Sequence, residues 1–517
     1  MRSRIWAIAG PLVVACLFVA TVQRRAGAWS SDFSADPDEP SHVVSSLAVY
    51  DYLRNGLHQN PIAFAETYYL HYPKLAIGHW PPLFYCSEAA WMFAFGRNRA
   101  AMLSFAGFVA AALLTSIFYY AWREYGTAAA IVACLALLRM GLIQTELSQV
   151  APNLLLALVA FWSAVAWGKY IEERKARDAV IAAILMAAAV GVHGRGVALL
   201  FLPSALLLIG RLRWTKLRVA ILILIVLVTV TLPYRLHQAN PFRLRGLFIK
   251  ASHYPLHLGD VLGWPLLALA VIGAVVAIQQ QDRHRHRVAM PALVISGWAF
   301  QSLINVGFSD RYLITIVPAA AILIAAGFNF CLSAIQRPVF RVACVVGISA
   351  SLIATTFPFA RKIDLGYHAL RTATGRVDLI AAEPVHEGAF IAEADLRDPG
   401  LARFALRASK LLAFSSWNGE IYHTRFSGTA EAAKCLEEAH VERVLIQMAD
   451  RQPHVLQLLD VVQSGPWREI HCEGAPPGIR VFERWSPLPA GYPAFTLDLR
   501  YTLGRALTYA ATVTSSR

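Results

Sequence analysis

Runs of apolar residues long enough to cross a lipid bilayer recur through most of this chain. Spanning the hydrocarbon core as a helix takes about 20 such residues. Candidate spans lie at 100–121, 126–143, 151–168, 178–194, 196–210, 217–234, 261–279, 288–307, 312–334 and 339–358. An earlier apolar run, 5–22, follows Arg2 and Arg4 and reads as a retained first span rather than a signal peptide. Segment 83–96 is also apolar but short. Of the 517 residues, 57% are hydrophobic and 15% charged. That balance excludes an ordinary soluble domain, which carries about 25% charge, and a disordered chain.

The net charge of +14 would point to nucleic acid in a soluble protein. Here the basic residues cluster in short connections between apolar runs, and no nucleic-acid partner is expected. The strongest clusters are 169–177, 211–218, 283–287 and 337–341. Placing all four in the cytoplasm puts the N-terminus inside and, provided 83–96 does not fully cross, the polar loop 24–81 outside. Everything after about Arg361 is then outside too. The count is 11 spans, within a range of 11–13. The expected architecture is a polytopic α-helical membrane domain over 1–360 and a soluble extracytoplasmic α/β domain over 361–517.

In the C-terminal part charge rises and the apolar runs shorten to strand length. Residues 388–393, 444–447, 467–472 and 479–485 read as strands, and 399–409, 428–439 and 454–463 as helices. The segment lacks GxGxxG and GxxxxGK[ST] loops, so nothing there supports a nucleotide site. The final residues, 511–517, read as a loose tail. Cys435 and Cys472 can pair in an extracytoplasmic domain. The sequence contains no CxxC spacing, and no metal centre is expected.

The acidic run Asp36-Pro37-Asp38-Glu39-Pro40-Ser41-His42 follows the first span and opens an amphipathic helical pattern over 41–53. A carboxylate at a helix N-terminus is oriented and kept ionised. That suits a general base taking a proton from an acceptor hydroxyl or amine. A plain helix cap accounts for the same residues. His42 lies four residues after Asp38 and can share its helix face. Further on, Tyr72-Pro73-Lys74 and His79-Trp80-Pro81-Pro82-Leu83 mix aromatic and basic residues. Lys74 and His79 can contact a phosphate, or the run is an interfacial aromatic belt with a snorkelling lysine. His193-Gly194-Arg195-Gly196 interrupts two apolar runs, where a cation is costly and a functional candidate; a tight hairpin whose Arg reaches water is the alternative. Asn153 and Glu146 are similarly placed on neighbouring spans. Arg311, in Ser309-Asp310-Arg311-Tyr312, can hold a phosphate or carboxylate or pair with Asp310.

The order of these motifs resembles the GT-C membrane glycosyltransferases of the dolichyl-phosphate-mannose protein mannosyltransferase superfamily. Bacterial relatives include the lipid A aminoarabinose transferases. An Asp-Glu pair follows the first span, and Pro-Pro-Leu follows an amphipathic loop. A Gly-flanked basic residue leads into Ala-Leu-Leu-Phe-Leu-Pro, and Arg311-Tyr312-Leu313 precedes a Pro-containing span. The resemblance covers about 1–335. It implies inverting transfer of a sugar from a polyprenyl-phosphate donor to an extracytoplasmic glycan, lipid or protein acceptor, in a bacterial inner membrane. No cofactor is needed beyond that donor substrate. The resemblance assigns the base to Asp38, with Glu39 beside it and Asp36 as a further candidate; Lys74, His79 and Arg311 substitute for the family's basic residue as donor-phosphate ligands, and Arg195 and Tyr312 join them as substrate-binding candidates. His42 and Asn153 are further candidates. Trp80 stands where the family has a basic residue, Arg195 where it commonly has Lys, and Asn153 where it often has Asp. A lipid or sugar flippase, or an inactive binding protein of the same fold, is the competing reading. Internal symmetry would favour a flippase, and none is visible.

Overall fold

The computed structural model describes residues 2–34, 36–210, 247–303, 309–356, 359, 361–370, 377–415, 421–499 and 504–510. The basic loop 211–218, the expected span 217–234 and the tail 511–517 lie outside the described residues. The chain divides into two compact units. One holds 1–26, 81–84 and 104–361; the other holds 27–80, 85–103 and 362–517. The first polar loop thus shares a compact unit with the C-terminal α/β segment.

In the membrane unit, four of the described helices are long and apolar enough to cross a bilayer: Arg99–Tyr125, Asn153–Glu173, Val317–Ala334 and Pro338–Thr356. The number rises to six if each of two bent pairs is one span, so the expected 11 are not reached among the described residues. The reason is local. Apolar run length dictates burial, not an unbroken helix. Run 126–143 bends by 77° between Thr127–Arg139 and Gly141–Leu147, and run 261–279 is entered through a 114° bend at Gly263. Gly263 has φ +85, a conformation that side-chain-bearing residues rarely adopt. Run 178–194 becomes Ala176–Val192, 17 residues. Run 196–210 splits into the 3-10 segment Gly194–Phe201 and the eight-residue helix Leu202–Ile209. The 83–96 run forms Leu83–Phe95, 13 residues and too short to span straight.

Small residues set the packing inside this unit, as expected where lipid supplies no hydrophobic drive between helices. A Cβ on Gly273 would lie 2.0 Å from the Leu323 carbonyl, and one on Gly327 2.0 Å from that of Leu269. Helices Trp264–Gln279 and Val317–Ala334 therefore meet backbone to backbone. Pro338–Thr356 is the opposite case. Only 11% of its apolar window is buried in protein, leaving Val339, Phe340, Val342 and Val346 for the hydrocarbon.

The second unit is built on a five-stranded mixed sheet. Its strands are β1 (Val377–Ala381), β2 (Phe404–Arg407), β5 (Arg443–Gln447), β6 (Trp467–Ile470) and β7 (Ile479–Arg484), in the order β2-β1-β5-β7-β6. β1 runs parallel to β2 and β5; β7 is antiparallel to β5 and β6. Two hairpins add β3 (Ala413–Ser415) with β4 (Tyr422–Thr424) and β8 (Ala494–Leu499) with β9 (Arg505–Ala510). Strands β5, β6 and β7 and helices Thr429–Glu438 and Pro453–Ser464 fall where the sequence places them. Two segments differ. Residues 388–393 lie inside helix Pro384–Leu396 instead of forming a strand. Residues 399–409 hold β2 instead of a helix. The helix is buried on both faces by Gly388–Glu393, so it shows the continuous apolar run of a buried strand. Asp378 in β1 is bridged by Arg443 of β5 through bonds of 2.9 and 2.5 Å, a buried cross-strand ion pair. All seven cysteines, Cys435 and Cys472 included, are unbridged.

Candidate functional site

The helix that carries the acidic motif runs Glu39–Asp51, with Pro40 in its first turn. Its N-terminus is capped by Asp36, whose Oδ1 accepts from the backbone N–H of Asp38 (2.7 Å) and Glu39 (2.8 Å). Asp38 occupies the N-cap position yet makes no side-chain cap bond. Its carbonyl accepts from the His42 N–H at 3.0 Å, and its side chain is half-buried. Glu39 is fully buried and bonded to Lys362 at 2.6 Å, with both side chains at 0% exposure. Three neighbouring carboxylates thus have three different surroundings.

The helix is not amphipathic in its packing. Ser41, His42, Ser45, Ser46 and Asp51 are buried along with its apolar residues, because the polar unit covers it on every side. His42 Nδ1 lies 3.0 Å from the Tyr85 hydroxyl, and its ring packs 4.3 Å from that of Trp80. His79 sits edge-on to Trp80 at 4.7 Å. Lys74 follows helix Pro61–His71, and its stem is wedged between Pro40 and the backbone at Gly388: a Cβ there would lie 3.0 Å from Lys74 Cε and 3.0 Å from Pro40 Cγ. Burial pushes its ammonium down to about 7, and the nearby Arg407 guanidinium adds to the shift, while Glu387, Asp38 and Asp36 oppose it.

A second cluster belongs to the membrane unit. The Arg195 guanidinium lies 4.3 Å over the Tyr312 ring and donates to the Arg311 carbonyl (3.1 Å) and the Asn153 carboxamide oxygen (3.4 Å). Asn153 in turn donates to Glu146 at 2.7 Å. The Arg311 guanidinium is 5.9 Å from the Tyr312 ring centre. Asp310 bonds His257. Arg195, Arg311, Tyr312 and Asn153, far apart in sequence, are brought together as a cationic group backed by an amide and an aromatic ring. The flanking glycine has a physical reason: a Cβ on Gly196 would lie 2.2 Å from the Ala189 carbonyl. Gly196→Ala is expected to push the Gly194–Phe201 segment off helix Ala176–Val192. A loss of roughly 1–3 kcal/mol of stability, typical of overpacking, would read out as a lower thermal midpoint in detergent.

Several buried polar groups were not singled out from the sequence. Arg97 donates to both oxygens of Asp51 and to Asp395 (2.8 Å), and Tyr68 donates to the same two carboxylates at 3.1 and 2.7 Å. Burial pushes Asp395 up to about 8, against the pull of Arg97. Glu88 accepts from Ser46 of the acidic helix. An Arg just past an apolar helix was the one visible signal; its partners lie 46 and 298 residues away.

The fold, a multi-span helical region followed by a mixed α/β region, is shared with solved membrane proteins. The aminoarabinose transferase ArnT from Cupriavidus metallidurans in the apo state is similar at TM-score 0.54 and 13% identity, over 92% of this chain and 98% of that one. The same enzyme bound to undecaprenyl phosphate matches at 0.54 and 11%. The Archaeoglobus fulgidus oligosaccharyltransferase in its apo form matches at 0.53 and 11%, over 86% of this chain and 70% of that one. No protein-family profile matches the sequence, and no curated protein matches it at significant sequence similarity.

Proposed function

We propose that this chain is an inverting glycosyltransferase that moves a sugar from a polyprenyl-phosphate donor to an acceptor on the extracytoplasmic side of a bacterial inner membrane. Its N-terminus is cytoplasmic and its α/β domain extracytoplasmic. The observation that carries the reading is the division of labour in the acidic motif. Asp36 caps the helix, Glu39 bonds Lys362, and Asp38 stands half-buried at the N-cap position, close enough to Lys74 for the two charges to interact. Asp38 is the general base that takes the acceptor's proton as its oxygen attacks the anomeric carbon. The departing phosphate gains negative charge in the transition state, and preorganised cations lower that barrier. In the unit that carries Asp38 the candidates for this role are Lys74 and His79; in the membrane unit they are Arg311 and Arg195, the latter held by Tyr312 and Asn153. A solved protein of the same fold carries undecaprenyl phosphate, which supports a donor of this class.

The test is release of free polyprenyl phosphate from labelled polyprenyl-phosphate sugars by the purified full-length protein in nanodiscs, with membrane extract as the acceptor source. Stoichiometric release with label transferred to an extract component supports the reading. Donor binding with no release would sink it in favour of a flippase or binding protein. Lys74 gives the reaction a pH signature. Its amine is charged below about 7 and neutral above, so KM for the donor is expected to rise as pH climbs through 7. Lys74→Arg, which keeps its charge, is expected to flatten that rise.

A further inference from the structure

We infer that Asp32, Asp364 and His368 form a site for a divalent first-row cation of the zinc type, separate from the donor chemistry above. Each offers one ligand atom, and these atoms lie within 4.8 Å of one another. His368 Nδ1 is 3.1 Å from Asp32 Oδ1 and 3.2 Å from Asp364 Oδ1. Ligand atoms about 2.1 Å from a tetrahedral zinc are themselves about 3.4 Å apart, so a small shift opens the centre to an ion.

The site is prepared by the backbone. Asp32 is buried, and its two oxygens accept from the N–H groups of His368 (2.5 Å) and Tyr367 (2.8 Å). Those bonds fix the direction of the carboxylate and use one lone pair on each oxygen, leaving the other lone pairs for a metal. Asp364 Oδ1 also accepts from Asp32 N–H (3.3 Å) and Gly366 N–H (3.2 Å). Gly366, at φ +94, makes the turn that brings Asp364 and His368 to one side. Asp364 and His368 side chains are 42% and 32% exposed. Water can reach the centre and complete the coordination. Two carboxylates with an imidazole suit zinc, cobalt or manganese better than calcium, which favours all-oxygen sites.

The ion would act as a staple. Segments 31–34 and 362–368 are already joined by Ser34 Oγ donating to the Ile363 carbonyl (2.9 Å) and by Lys362 lying 5.3 Å over the Phe33 ring. Asp32 stands four residues before Asp36, so the staple would set how the chain enters the acidic motif. The inference does not depend on the transferase reading.

The experiment uses the full chain in detergent, purified without a polyhistidine tag, stripped with EDTA and equilibrated with Co2+ or Zn2+. The expected result is one equivalent of bound metal, a visible Co2+ absorption band and a raised thermal midpoint. Asp364→Asn and His368→Gln alter surface-facing side chains and are expected to weaken binding at least about 10-fold while the protein stays folded. Folded wild type that binds no stoichiometric metal would overturn the inference: His368 would then only hydrogen-bond the two carboxylates. Equal binding by wild type and both variants would overturn it as well, placing the metal elsewhere.

Discussion

Asp38→Asn is expected to lower kcat for release of polyprenyl phosphate by about 10²- to 10⁴-fold, the range over which a positioned base contributes. The side chain keeps its size and loses only the ability to accept a proton at the reacting oxygen. Helix Glu39–Asp51 should be unaffected, because Asp36 and not Asp38 provides its side-chain cap. Donor KM and the thermal midpoint should therefore stay near wild type while turnover falls. Asp36→Asn is the matched control. An Asn side-chain oxygen still caps a helix, so that variant is expected to retain most of the activity. Wild-type turnover in Asp38→Asn, with loss in Asp36→Asn, would move the base two residues upstream. A fall in both kcat and thermal midpoint in Asp38→Asn would make that residue a structural support.

The parts of this molecule that were legible in the sequence are those governed by local rules. Bilayer-length apolar runs announce a multi-span chain, and the Pro40 signal announces the start of helix Glu39–Asp51 to within two residues of the expected 41. Strands β5, β6 and β7 carry apolar runs bounded by turns and were equally readable. What failed was set by long-range packing. Residues 388–393 look like a strand because neighbours bury the helix there on both faces. The run at 126–143 looks like one span because hydropathy has no term for the 77° bend inside it. The site divides the same way. The acidic motif was visible as a motif, but its roles depend on partners elsewhere. Glu39 meets Lys362 across 323 residues, and Asp32 meets His368 across 336. Sequence spacing carries no signal for either. Arg195 was visible as a cation in an apolar setting, whereas its backing by Asn153 and Tyr312 was not.

Glu39→Gln is expected to cost the fold about 3–5 kcal/mol, because it strands a buried ammonium without its counter-charge. The Glu39–Lys362 pair is excluded from water on both sides, so neither screening nor a surface rearrangement can compensate. The expected readout is a large fall in thermal midpoint for the protein in detergent, accompanied by loss of activity in proportion to unfolded protein. Lys362→Met should be destabilised through the mirror-image defect, a buried carboxylate without its cation. The double variant Glu39→Gln, Lys362→Met removes both charges at once. It should recover much of the lost stability, since an uncharged buried pair carries no unpaid desolvation, and the coupling energy follows from the cycle of four proteins. Recovery of activity in the double variant would place Glu39 outside the chemistry, as a residue that positions Asp38 by anchoring the first turn. A double variant that is stable and inactive, with wild-type donor affinity, would instead assign the proton transfer to Glu39.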